Sequence, residues 1–165
     1  MKFIYPKKYV PSVYEIDFEQ LYKEGYRGVL FDVDNTLVAF DCMDAPDLLV
    51  SFIRGLQKMG FEVGLVSNNT TARVVALNRK LNLEIMPNAM KPFTFRLKRI
   101  LKEIDVVPGK AIFVGDQLFT DVWVGNAMGL YSVLVQPIQK KEQLVTWVKR
   151  GLESLVLKGY KNDHR

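Results

Sequence analysis

Two carboxylates two residues apart, at the end of an apolar run, restrict what this chain can fold into more than any other feature. Gly28-Val29-Leu30-Phe31 reads as a strand buried on both faces, and the run continues into Asp32-Val33-Asp34-Asn35-Thr36-Leu37-Val38. Burying one charge beside another is costly, so Asp32 and Asp34 need a cation, hydrogen bonds, or a strand end beside a cleft. In an open parallel sheet that cleft lies outside the carboxyl ends of the strands. A plain Asp-Asn turn after a strand is the other reading these residues allow.

The rest of the chain repeats the strand-then-helix pattern. Asp44-Ala45-Pro46 opens an expected helix with proline in its first turn, a stripe of Leu48, Leu49, Phe52, Ile53, Leu56 and Met59, and Gly60 as its end. A strand over 61–66 runs into Ser67-Asn68-Asn69-Thr70-Thr71, followed by a helix over 72–81. Small polar residues between a strand and a helix start form either a phosphate site of backbone N–H groups or an ordinary cap. A short strand over 83–86 leads to Lys91-Pro92, the proline suiting the first position of a helix that runs to about 104. On that helix Arg96, Lys98, Arg99 and Lys102 read as a solvated face. A strand over 110–114 ends in Gly115-Asp116, with Asp121 just beyond, and is followed by a helix to about 128, a last strand over 131–135 and a closing helix over 142–157.

Strands alternating with helices through short links predict a mostly parallel α/β sheet, doubly wound, with helices on both faces. Ser67, Lys91, Asp116 and Asp121 then gather with Asp32 and Asp34 at strand carboxyl ends. At 165 residues the chain reads as a single domain, with an arm over 1–27, a core over 28–157 and a polar tail over 158–165. Pro6 and Pro11 argue against a helix at the start of the arm, and a short helix is expected from Asp17, stopped by Gly25. Its tyrosines, among them Tyr9, Tyr14, Tyr22 and Tyr26, are read as packing on the core, the alternative being contact with a membrane interface.

Cys42 is the only cysteine, so no internal disulfide or thiolate metal site can form within one chain. The only histidine, His164, lies in the polar tail and is read as solvated. Carboxylates must therefore carry any acid–base or metal chemistry. The formal charge of +5 favours anionic partners, although the basic residues are scattered rather than striped, which weakens nucleic-acid binding. No apolar run is long enough to span a bilayer and the first residues lack a signal-peptide pattern, so the expected location is cytoplasmic.

Three or four converging carboxylates make an all-oxygen site suited to Mg²⁺, and Ser67 and Lys91 opposite them leave room for a phosphoryl group. Asp32 can then attack phosphorus in line. Asp34 can protonate the leaving oxygen and afterwards take a proton from the water that hydrolyses the aspartyl-phosphate.

Phe31-Asp32-Val33-Asp34-Asn35-Thr36-Leu37, Ser67, Lys91-Pro92 and Gly115-Asp116 with Asp121 resemble the four ordered motifs of the haloacid dehalogenase superfamily, over residues 28 to about 135. The resemblance implies a Rossmann-like core with Asp32 as nucleophile, Asp34 as acid/base, and Ser67, Lys91 and the neighbouring Asn68 on phosphate. It also implies that Mg²⁺ is held by Asp32, the Asp34 backbone carbonyl and Asp116, with Asp121 acting through water. The short intervals between motifs imply a capless protein with an open crevice. From about residue 5 to 157 the chain is similar to the subfamily IIIA, YqeG-like proteins, through Tyr9-Val10-Pro11-Ser12-Val13-Tyr14-Glu15-Ile16-Asp17 and Gly115-Asp116-Gln117 with Thr120-Asp121. That group is related to phosphatidylglycerophosphate phosphatases. The expected function is thus a Mg²⁺-dependent phosphomonoesterase with phosphatidylglycerophosphate as leading substrate, peripheral on the inner face of an anionic membrane. The alternatives are a soluble sugar-phosphate, nucleotide or phosphoprotein phosphatase, and a phosphate- or RNA-binding module without turnover.

Overall fold

A three-residue strand follows a 3₁₀ turn over Lys2–Ile4 near the start, where the sequence predicts no strand. The computed structural model describes residues 2–139 and residue 154; the predicted helix over 142–157, the tail and His164 lie outside the described residues. β1 (Lys8–Val10), flanked by Pro6 and Pro11, is followed by α1 (Phe18–Lys23), which Asp17 caps by accepting the Gln20 N–H. Next come β2 (Gly28–Phe31), α2 (Asp47–Met59), β3 (Glu62–Val66), α3 (Thr71–Asn78), β4 (Glu84–Met86) and α4 (Phe95–Glu103). The chain continues with β5 (Ala111–Gly115), a π-helical turn over Leu118–Val122, α5 (Trp123–Ala127) and β6 (Tyr131–Val135).

The strands form one sheet in the order β1-β6-β5-β2-β3-β4, with every neighbouring pair parallel. The α/β architecture is the one the strand–helix alternation predicts. From β2 the chain steps outward through β3 to β4, then returns to the other side of β2 as β5. The order therefore reverses between β2 and β5, where an open α/β sheet forms its binding crevice. Phe31 is level with Leu65 on one side and Val114 on the other, so the three central strands end together.

Alternate residues of β2 serve the two faces. Val29 and Phe31 join the cluster made with α1, α2 and α3, while Leu30 joins that of α4 and α5. Around Phe31, the rings of Phe18 and Phe52 lie at centroid distances of 6.2 and 6.0 Å, and Phe61 stands 5.8 Å from Phe18. Truncating a buried ring such as Phe31 costs about 3–5 kcal/mol, and here it would loosen the strand that presents Asp32.

Several local expectations need correction. Pro46 stands just before α2 rather than in its first turn, and Leu48, 66 % exposed, leaves the apolar stripe to Leu49, Ile53 and Leu56. Gly60 ends α2 at φ 108°, where a side chain would also strike the Tyr22 hydroxyl. Pro92 does not open α4, which begins three residues later, and Arg96 is half-buried, donating to the Pro87 carbonyl at 3.3 Å. The arm packs as expected: Tyr22 on Phe61, Tyr26 on Tyr131 and Tyr14 on Phe52, all edge to face. It does more than pack, because β1 extends the sheet beyond β6.

Candidate active site

Where β2 and β5 end, each strand delivers a carboxylate. The Asp32 N–H still bonds to the Val114 carbonyl at 2.9 Å, so Asp32 is the last rung between the two strands and its buried side chain turns into the crevice. Asp116 follows β5 directly and is half-buried. Thr36 bridges the two, its Oγ1 lying 2.9 Å from Asp32 Oδ2 and 3.3 Å from Asp116 Oδ1. One hydroxyl proton serves one carboxylate at a time, and the shorter contact favours Asp32.

Lys91 reaches in from the loop after β4. Its Nζ lies 2.6 Å from Asp32 Oδ1 and 2.7 Å from Asp121 Oδ1, and donates to the Val66 carbonyl at 3.2 Å. Asn68 holds the Lys91 backbone from both sides: its Oδ1 accepts the Lys91 N–H at 2.8 Å and its Nδ2 donates to the Lys91 carbonyl at 3.2 Å. The amide expected to meet phosphate is thus engaged in fixing the lysine. Asp121 comes from the π-helical turn, its Oδ2 accepting the Gln117 N–H at 3.0 Å. A Cβ on Gly115 would overlap the Asp121 carboxylate, so only glycine lets that side chain lie against the end of β5.

Asp32, Asp116 and Asp121 each offer an oxygen, and these oxygens all lie within 4.8 Å of one another. Burial, followed by the charges of Asp32 and Asp121, pushes the Asp116 carboxyl up to about 8. Burial also pushes Asp32 up to about 6, against the pull of Lys91. For Lys91, burial works to lower the value, but Asp121 and Asp32 outweigh it and hold the ammonium above the ordinary lysine range. Three close carboxylates with one ammonium carry an excess of negative charge. A donor set made wholly of oxygens suits a hard divalent cation such as Mg²⁺.

Ser67 directly follows β3, is buried, and accepts the Asn69 N–H on its Oγ at 3.0 Å. Thr70 caps α3, accepting the Arg73 N–H at 3.4 Å. The side chain of Asp34 stands apart from the three clustered carboxylates. Its Oδ2 accepts from Asn69 Nδ2 at 3.1 Å, and its Oδ1 from Arg73 Nε and Nη2 at 3.2 and 3.1 Å. Arg73 went unnoticed in the sequence, where only its place soon after the Ser67–Thr71 run pointed to it. It is 7 % exposed, and its Nη1 is buried without a hydrogen-bond partner among the described residues.

This sheet order, with aspartates at the ends of β2 and β5 and a lysine between them, is that of the haloacid dehalogenase fold. The chain belongs to the mitochondrial PGP phosphatase family, whose profile matches residues 1–139. It is 30% identical over 160 residues to the probable phosphatase YqeG of Bacillus subtilis, covering 97% of this chain and 93% of that one. It is 29% identical to phosphatidylglycerophosphate phosphatase 1, chloroplastic/mitochondrial, of Arabidopsis thaliana, covering 95% of this chain but 48% of the plant protein. Among solved structures, a haloacid dehalogenase family enzyme from Bacteroides thetaiotaomicron, in complex with magnesium and inorganic phosphate, shares the fold. Its TM-score is 0.56 at 11% identity, covering 72% of this chain and 98% of that one.

Proposed function

We propose that this chain is a Mg²⁺-dependent phosphomonoesterase that works through an aspartyl-phosphate on Asp32 and takes phosphatidylglycerophosphate as substrate. The observation that carries this reading is the Lys91 ammonium set between Asp32 and Asp121, 2.6 and 2.7 Å from their oxygens. A buried cation there supports attack by a carboxylate on an anionic phosphoryl group, because it offsets the repulsion between them.

In this scheme Thr36 and Lys91 orient the Asp32 carboxylate, one on each oxygen. An Asp32 oxygen forms the bond to phosphorus as the bond to the alcohol oxygen breaks, and Asp34 gives that oxygen its proton. Asp34 then removes a proton from a water, which attacks the phosphorus and releases Asp32 with inorganic phosphate. The Ser67 hydroxyl and Lys91 bind the phosphoryl oxygens. Mg²⁺, held by Asp32, Asp116 and the Asp34 backbone carbonyl with Asp121 behind them, would supply further charge neutralisation at the phosphoryl group. Membership of the PGP phosphatase family supports the lipid substrate, as does the relative from Arabidopsis thaliana.

The test compares phosphate release by the wild type and Asp32→Asn, with phosphatidylglycerophosphate in mixed micelles beside soluble phosphomonoesters. Mg²⁺-dependent release confined to the lipid and lost in the variant is expected. Preference for a soluble ester would overturn the substrate but keep the mechanism, and retained activity in Asp32→Asn would remove Asp32 as nucleophile. No release from any substrate would leave a phosphate-binding module.

A further inference from the structure

The arm's tyrosines are largely spent on packing, and aromatic and basic character meet on a different surface. The loop that carries Lys91 into the crevice exposes Met90 and Phe93 on its outside, at 51 % and 62 %. Phe95, at the start of α4, is 55 % exposed. Within α4, Leu97, Ile100 and Leu101 face the core, which turns Phe95, Lys98, Arg99 and Lys102 together onto the outer side of the helix. Glu103 pairs with Arg99 at 2.8 Å, so this surface keeps a positive excess.

The opposite flank of the crevice carries the reverse charge, beside the exposed Met43 and Leu48. Asp41, Asp44 and Asp47, all exposed, surround the loop that leads into α2 on the other face of the sheet. Charge thus divides across the mouth: basic on the α4 side, acidic on the α2 side.

We infer that Met90, Phe93 and Phe95, with Lys98, Arg99 and Lys102, dock the protein on an anionic lipid bilayer. Phenylalanine and methionine side chains enter the headgroup region while the basic residues meet lipid phosphates, and the acidic flank turns away. Because Lys91 lies inside the docking segment itself, docking brings the carboxyl ends of β2 and β5 to the membrane surface. This inference rests on the lipid-phosphate reading above and specifies the surface that would serve it.

The experiment is co-sedimentation with phosphatidylcholine vesicles made with or without phosphatidylglycerol, at low salt and at about 0.15 M, since surface charge is screened as salt rises. The wild type should sediment with the anionic vesicles, less so at the higher salt. Phe93→Ser with Phe95→Ser, and separately Lys98→Glu with Lys102→Glu, should each weaken binding by about tenfold or more. Both double variants should keep the wild-type far-ultraviolet spectrum and melting temperature, which shows that they are folded. Wild-type protein that ignores anionic vesicles at low salt, or variants that bind as the wild type does, would overturn the inference. Failure of the substrate reading looks different: the wild type would bind vesicles through these residues yet release no phosphate from phosphatidylglycerophosphate in micelles.

Discussion

Arg73 donates from both Nε and Nη2 to a single oxygen of Asp34, while Asn69 holds the other oxygen. The carboxylate proposed as acid/base is therefore clamped on both sides by groups that lie outside the cluster of Asp32, Asp116 and Asp121. A buried arginine fork sets direction as well as charge, and lysine cannot copy its planar geometry. Arg73→Ala should lower kcat about 10²-fold, the lower end of what positioned acid–base catalysis contributes. KM should change little, because the guanidinium is engaged on Asp34. Arg73→Lys should recover only part of the loss. A raised KM with kcat intact would instead make Arg73 a substrate ligand, and steady-state kinetics on phosphatidylglycerophosphate in mixed micelles separates the two.

Lys91→Met should destabilise the fold as well as stop turnover. Removing the ammonium leaves Asp32 and Asp121 buried beside each other without a cation, a change that costs about 3–5 kcal/mol when one partner of a buried pair is lost. Denaturant unfolding at neutral pH measures it. The deficit should shrink in acid, where the orphaned carboxylates take up protons. A variant as stable as the wild type would mean that the pair contributes nothing net.

The raised carboxyls fix the sign of a pH effect. Asp116, at about 8, and Asp32, at about 6, hold protons that an unfolded chain would release near the ordinary 3.8. Between those limits the native state binds more protons than the unfolded state, so stability falls as pH rises. The Lys91 shift acts only in the alkaline range beyond this window. Metal-free protein in a chelator should accordingly melt at lower temperature at pH 8.5 than at pH 5.5, with the loss concentrated between about pH 4 and 8. Mg²⁺ needs the ionised carboxylates, so the rise in Tm that it causes should be larger at the higher pH. A flat Tm in chelator would contradict the raised values.

Gly115→Ala should separate the site from the fold. The added methyl group meets the Asp121 carboxylate at the end of β5, so Asp121 must move off Lys91. Misplacement on the scale of an ångström typically costs about 10²-fold in rate. The far-ultraviolet spectrum should stay unchanged, while activity and the Mg²⁺ titration shift together. A variant with unaltered metal dependence would show that Asp121 has no part in holding the cation.

Much of the site is legible without coordinates because each clustered residue follows an apolar strand, and strand ends in a parallel sheet converge. Asp32, Lys91, Asp116 and Asp121 meet for that reason. What escaped depends on contacts that no local pattern encodes. Arg73 reads as one more basic residue on a helix until Asp34 is placed against it. Asn68 reads as a phosphate ligand until its amide is found closing on the Lys91 backbone, 23 residues away. Leu48 looks like part of the apolar stripe of α2, but Leu49, Ile53 and Leu56 take the buried face and leave Leu48 on the outer one. The three residues of β1 are too short and too closely hemmed by prolines to announce a strand; their partner lies at the far side of the sequence.

That partnership has a consequence for the order of assembly. Lys8 pairs with Val133 and Val10 with Val135, a separation of 125 residues, whereas each of the other strand pairs closes a shorter loop. During synthesis β1 is made first yet has nothing to pair with until β6 emerges. Until then the beginning of the chain must wait, and the outer edge of β6 stays unpaired. The strand made first is the last to find its place.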